Sequence, residues 1–364
     1  MTPAWFPSKL SAALLLGGLA CLLRPVAAGA AEEIIVAADG TGMYKSVQDA
    51  INAVPQNTTP EEPCVIRVKA GVYHELLYVQ REKRYVQLIG DDPEKTVITY
   101  DLYAALPGLD GRDMGTFRTA TAVIDADDFT AENITFENTA GLRTGGGGQA
   151  MAIRVDGDRV VFRRCHFLGW EDTVFLNRGR HYFAACYIAG QIDFIFGGAE
   201  AYFENCRLHC LGTGYLTAAS TPKEQRFGFV FSHCHITGAN PETKTYLGRP
   251  WRSYGSVIFL DTEMSTVVRP EGWFNWGLPE REKTSRFAEF GSTGPGANMA
   301  TRVSWTRPLT EAQARSVTVA KVLAGPDAWD PHAQAVTVSP VAPTAPSEPA
   351  AATATTPPAP PIQK

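Results

Sequence analysis

Apolar and polar residues alternate over short runs along most of the chain, and long helical stripes are scarce. The runs include Ile34–Val36, the segments VIRVKAG from Val65, YVQLIG from Tyr85 and TVITY ending at Tyr100, then Ala122–Ile124, Ala131–Phe136, Phe229–Thr237 and Ser256–Leu260. Many short strands separated by turns predict an all-β coil. Between Val160 and Thr213 the pattern repeats three times, as VVFRRCHFLGWEDTVF, HYFAACYIAGQIDFIF and AYFENCRLHCLGT. Cys165, Cys186 and Cys206 fall 21 and 20 residues apart, about one solenoid turn. In ENITF, Asn133 takes the place that the cysteines hold later.

Two short helices are predicted at the ends. Val47, Ile51 and Val54 have helical spacing over Ser46–Val54, which Pro55 terminates, so this helix covers the open end of the coil. A second helix is expected over Thr310–Leu323, opened by a Thr310/Gln313 capping box and packed on the outside.

The repeat has a chemical consequence. The offset between Cys165 and Cys186 also separates Asp172 from Asp193, and equivalent positions on neighbouring coils lie roughly 4.8 Å apart. Two carboxylates that close cannot both ionise cheaply, so one pKa rises and the other is held down. Two identical side chains thereby become an acid and a nucleophile or base. On the third coil the corresponding position holds Thr213.

The chain has 364 residues, with 33 basic and 38 acidic side chains and a net charge of -5, so nothing in it marks a nucleic-acid binder. Residues 1–30 have the layout of a secretory signal: Lys9, an apolar run from Leu10 to Leu23 and small residues ending at Ala30. The run is too short and interrupted for an integral membrane span. Export to the periplasm or medium is expected, with lipid attachment at Cys21 as the other reading. Residues 31–335 form the folded domain, and the Pro/Ala/Thr-rich stretch 336–364 is read as a disordered tail. Cysteines 64, 165, 186, 206, 210 and 234 remain after the leader. Disulfides between stacked cysteines and a ladder of small buried side chains are both open readings. His74, His166 and His181 share no metal spacing and are read as structural or solvent-facing.

Five segments appear in order: GVYHE from Gly71, GQAMAI from Gly148, EDTVF from Glu171, DFIFG from Asp193 and LGRPW from Leu247, followed by WFNW and FAEFGSTGPGA. With these in view the sequence resembles the pectin methylesterases, or pectinesterases, from about Ile34 to Pro331. The resemblance implies a single-stranded right-handed parallel β-helix that hydrolyses methyl esters of polygalacturonate without metal or other cofactor. It implies Asp193 as nucleophile, Asp172 as proton donor, Gln149 as oxyanion donor, and Arg249, Trp251 and Thr116 as substrate-binding residues. The chemistry agrees, because a carboxylate can attack an ester carbonyl when a neighbouring acid protonates the departing methoxide. Arg249 offers a fixed fork to hold Asp193 ionised. Phe117, Trp170, Phe194 and Trp251 suit a cleft that accepts methyl esters, and Arg178 and Arg180 are candidates to meet free galacturonate carboxylates.

The chain departs from the pattern at Glu171, where the family usually has glutamine. An ionised carboxylate there would repel the oxyanion, whereas one more carboxyl beside Asp172 and Asp193 is hard to ionise. An active enzyme with a lowered pH optimum is the expectation, acting on pectin as a monomer. Two alternatives stand beside it: an esterase or thioesterase for a non-pectin ester, and a catalytically weak polysaccharide-binding β-helix.

Overall fold

The computed structural model describes residues 33–56, 58–144 and 148–334. The leader expected over residues 1–30 and the tail expected over 336–364 therefore lie outside the described residues, as does any bond made by Cys21.

All named strand pairs run parallel, and they wind into the expected parallel β-helix. One face is a ten-stranded sheet in which spatial order follows sequence order, from Ile34–Val36 through Val160–Arg163, Arg180–Ala184 and Glu200–Glu204 to Arg286–Phe290. A further thirteen strands supply the other two faces. These faces fuse where Tyr187–Gly197 and Arg207–Ala219 run continuously around the corner. Tyr187–Gly197 begins beside His166–Leu168 on one face and ends beside Val174–Leu176 on the next.

Inside the coil, like stacks on like. Phe162, Phe183, Phe203, Phe231 and Phe259 form one aromatic column, with successive ring centroids 4.9, 4.6, 4.5 and 4.6 Å apart. Each such pair adds about 0.5–1.5 kcal/mol beyond the area it buries. Beside that column Cys165, Cys186, Cys206 and Cys234 form a ladder of free, buried thiols, so of the two readings left open the ladder is the one found. Each sulfur donates to the carbonyl two residues before it, at 3.4–3.5 Å.

The position before each of these cysteines corrects one expectation. Asn133 aligns with Arg164, Ala185, Asn205 and His233, and Ile134 takes the cysteine place. These five residues share a left-handed backbone, with φ between 50° and 56°. That conformation is costly for residues with a Cβ. It persists because each amide still donates to the next coil, for example Asn133 N to Arg163 O at 3.1 Å and Ala185 N to Glu204 O at 2.9 Å. A strand expected to run unbroken over Ala131–Phe136 is thus two, Thr130–Glu132 and Thr135–Asn138, bent at Asn133.

The ends are closed as the sequence suggests, with one change. Val47–Ala53 is helical, and Glu75 of the GVYHE segment accepts from Ser46 Oγ, Val47 N and Gln48 N at 2.8, 2.8 and 2.9 Å. A carboxylate there satisfies free amide groups and opposes the positive end of the helix dipole. At the other end the Thr310/Gln313 capping box forms, but the helix is split into Glu311–Arg315 and Val319–Leu323. Thr318 caps the second piece, accepting from Lys321 N at 3.2 Å. Ala314, Val317, Val319, Val322 and Leu323 pack on the outer side of the ten-stranded sheet, against Val161, Tyr182, Tyr202 and Val230. No helix among the described residues is long and apolar enough to cross a membrane.

Candidate active site

The strand levels deliver the predicted residues to one place. Val174 pairs with Ile195 in register, and the Asp172 amide donates to Ile192 O at 3.0 Å, so Asp172 and Asp193 occupy the same position on adjacent coils. Both have left-handed backbones, φ 62° and 49°. Both are nearly buried, at 6% exposure each. One coil earlier, Gln149 bridges to Glu171, which in turn bridges to Ile192. Thr213 does not complete the ladder. The next strand shifts register, with Tyr215 beside Ile192 and Thr217 beside Ile195, and Thr213 Oγ1 instead accepts from Lys244 N at 3.2 Å.

Arg249 comes from two coils beyond Asp193. The intervening level carries Ala218 at the position between Phe196 and Arg249, and its small side chain leaves room for the guanidinium to reach back. Nε donates to Asp193 Oδ1 at 2.9 Å and Nη2 to Oδ2 at 2.7 Å, a two-pronged contact. The guanidinium carbon lies 3.8 Å from the ring centroids of both Tyr215 and Trp276, which clamp it between two π faces.

These surroundings separate the two aspartates. Asp193 is also raised, because burial outweighs the Arg249 hydrogen bonds and charge that pull it back towards the anion, so the two aspartates differ in degree and neither is held below the usual range. Asp172 is driven well above the usual carboxylate range, by burial first and then by the charges of Asp193 and Glu171, against a weaker pull from Arg249. A shared proton therefore resides on Asp172. Glu171 is raised too, by burial and by Asp193.

Thr116, Phe117, Gln149, Glu171, Asp172, Asp193, Arg249 and Trp251 line one cavity of about 250 Å³. The Thr116 hydroxyl donates to Gln149 Oε1, which turns the amide nitrogen free to donate elsewhere. The apolar wall is an aromatic group in which Phe117 meets Phe175 at 5.2 Å, Phe175 stacks on Phe196 at 4.6 Å, and Phe196 meets Trp251 at 5.8 Å.

Three expectations need correction. Phe194 is fully buried in the core, and the aromatic of the same strand that faces the cavity is Phe196. Trp170 does not line the cavity; its indole covers Gly141, where a Cβ would stand 1.5 Å from Trp170 Cδ1. Arg180 is not available to a ligand, because it is held by Asp158 and Asp327, with Nη2 at 2.5 and 2.9 Å from their carboxylates. Arg178 stays more than half exposed beside Asp125. His166 and His181 are buried, and burial pushes each imidazole down to about 4, so both are neutral. Phe175 and Phe196 were missed, although they share the 21-residue offset of the aspartates. Trp276, from the WFNW segment, was missed as the partner of Arg249.

A family model described as Pectinesterase matches residues 33–326. Pectinesterase 31 of Arabidopsis thaliana is 42% identical over 284 residues, covering 77% of this chain and 88% of that protein. Longer relatives are matched over about half their length, as with the probable pectinesterase/pectinesterase inhibitor 23 of the same plant, at 38% identity and 53% of its length. Pectin methylesterase from carrot superposes with a TM-score of 0.74 at 33% identity, over 81% of this chain and 93% of that one. A pectin methylesterase solved in complex with a hexasaccharide gives 0.72 at 31% identity, over 82% of this chain and 98% of that one.

Proposed function

The chain belongs to the pectinesterase family of carboxylic ester hydrolases, and from that premise we propose that it converts methyl-esterified polygalacturonate and water to pectate and methanol through an acyl-enzyme on Asp193. The observation that carries this reading is the inequality of the two stacked aspartates. Arg249 grips Asp193 and favours its anion, while Asp172 is left to hold the proton.

In the first half-reaction the Asp193 carboxylate attacks the ester carbonyl carbon. Negative charge moves to the carbonyl oxygen, where the Gln149 amide can donate to it. The carbon–methoxide bond then breaks as Asp172 gives its proton to the departing oxygen, leaving methanol and an anhydride linking Asp193 to the galacturonyl group. In the second half, Asp172 as a carboxylate takes a proton from water whose oxygen attacks the galacturonyl carbon. The bond to Asp193 breaks, and Asp193 is ionised and Asp172 protonated once more. Phe117, Phe196 and Trp251 supply flat apolar surface for sugar rings and the ester methyl, with Phe175 packed behind Phe117 and Phe196. Thr116 acts through Gln149. Export by the leader and action as a monomer belong to the same proposal.

Methanol release from pectin, compared with turnover of simple acyl esters, tests it. Asp193→Ala and Asp172→Ala should each abolish methanol release. Preference for a simple acyl ester or thioester, or methanol release that survives Asp193→Ala, would overturn the reading.

A further inference from the structure

Glu171 is the third carboxyl of the cleft. It lies between Gln149 and Ile192 in the backbone ladder, and its side chain lines the same cavity as Asp172 and Asp193. The polar groups around it form a directed chain. Thr116 donates to Gln149 Oε1, so the Gln149 nitrogen is the donor, and its contact with the Glu171 carboxyl, like the Arg249 charge, pulls that group towards the anion, an effect that burial and the Asp193 charge outweigh. A carboxyl that accepts on one oxygen keeps the other free to carry a proton, and the second N–H of the amide stays free to point into the cavity. Hydrogen bonds in such a chain polarise one another.

The charge balance favours the protonated form. The charged groups lining the cavity with Glu171 are Asp172 beside it, Asp193 on the next coil and Arg249 two coils further on. Arg249 is committed to Asp193. Full ionisation would therefore place three negative charges around one positive charge in a largely buried site, which is costly.

We propose that Glu171 is a catalytic residue that acts as the neutral acid, its O–H donating to the ester oxygen on which charge develops and completing the oxyanion site with the Gln149 N–H. The proton stays on Glu171 throughout and no bond to it breaks. Turnover then requires two protonated carboxyls, Asp172 and Glu171, and one ionised, Asp193. This makes the protein an esterase of the acid range. The inference rests on the ester-hydrolase reading given above.

Methanol release by the full chain, followed against pH for wild type, Glu171→Gln and Glu171→Ala, tests it. Glutamine keeps a neutral donor of the same shape at every pH. If turnover requires Glu171 to be protonated, this variant loses the requirement and the alkaline limb of kcat moves up by about one pH unit or more. If Glu171 only adds negative charge beside Asp172, removing it lowers the Asp172 pKa and the limb moves down. A downward or unmoved limb, or a glutamine variant inactive at every pH, overturns the proposal. Glu171→Ala should lower kcat by about 10²-fold with little change in KM, the loss typical of one oxyanion donor, and an unchanged kcat also overturns it. Wild type that releases no methanol at any pH overturns the ester-hydrolase reading itself, a separate failure.

Discussion

Replacing Arg249 by methionine keeps bulk between Tyr215 and Trp276 and removes the cation that faces Asp193. Asp193 then loses donors at 2.9 and 2.7 Å. A hydrogen bond to a charged group contributes about 1.5–3 kcal/mol, so the pair together contributes at least about 3 kcal/mol. At about 1.4 kcal/mol per pKa unit, that raises the first ionisation of the aspartate pair by about 2 units. The sign follows from the two opposing influences on Asp193: burial raises it, Arg249 lowers it, and the variant leaves burial alone. Because the carboxyls titrate as a unit, the second ionisation, which consumes the acid on Asp172, also moves up. The kcat profile for methanol release from pectin should therefore shift bodily to higher pH, with a loss of about 100-fold on the acid shoulder that partly recovers as pH rises. Arg249→Lys should fall between, since it keeps the charge and loses the fork. A profile lowered in height but unmoved in position would refute the reasoning, and would leave Arg249 as a substrate contact rather than the group that sets Asp193.

Other outcomes follow from the same contacts. Phe194→Ala should cost about 3–5 kcal/mol in denaturant unfolding without raising KM, whereas Phe196→Ala should raise KM for pectin with a smaller loss of stability. Arg302→Met leaves Glu289 as an uncompensated charge where both side chains are at most 1% exposed, and should cost about 3–5 kcal/mol in the same measurement. Of the six cysteines from Cys64 to Cys234, a thiol reagent should modify none but Cys64 in the folded protein and all six after unfolding. Burial alone would raise Asp158, but the Arg180 hydrogen bond and charge outweigh it, and Asp327 is lowered chiefly by its hydrogen bond to Arg180. Stability from these pairs is present above the ordinary carboxylate range and is lost only as pH falls through the lowered values. Limited proteolysis of the segment after Ser316 should therefore stay slow into acid, and Arg180→Ala should speed it at every pH.

The placement of Asp172 over Asp193 was legible because register in a parallel coil is a matter of counting, and 21 residues is one turn for both the cysteines and the aspartates. Facing was harder to read than stacking. Strict alternation puts Phe194 and Phe196 on one side of a strand. The register is irregular between Ile192 and Ile195, a stretch that holds the left-handed Asp193, and regular pairing resumes only at Ile195, so Phe194 packs inward while Phe196 faces the cavity. The same kind of residue misled at Asn133, one place before the true counterpart of the cysteines, because composition does not reveal the sign of φ. The Thr310/Gln313 box marked where the helix expected over Thr310–Leu323 begins, whereas its break and the second cap at Thr318 emerged only in the folded chain. Arg180 looked free because its partner Asp327 is 147 residues away, a distance no local pattern spans. Glu171 could be recognised as unusual from the chain alone, whereas its link through Gln149 to Thr116 required the folded geometry.

The reacting groups are held by main-chain hydrogen bonds between turns of the coil, each group on its own rung. Their spacing is thus a property of the scaffold, and it is largely indifferent to which side chain occupies a given rung. Such a construction lets evolution edit one functional group at a time, as at residue 171, without redrawing the distances among the others. The chemistry can drift towards a new working acidity while the architecture that aligns it stays put.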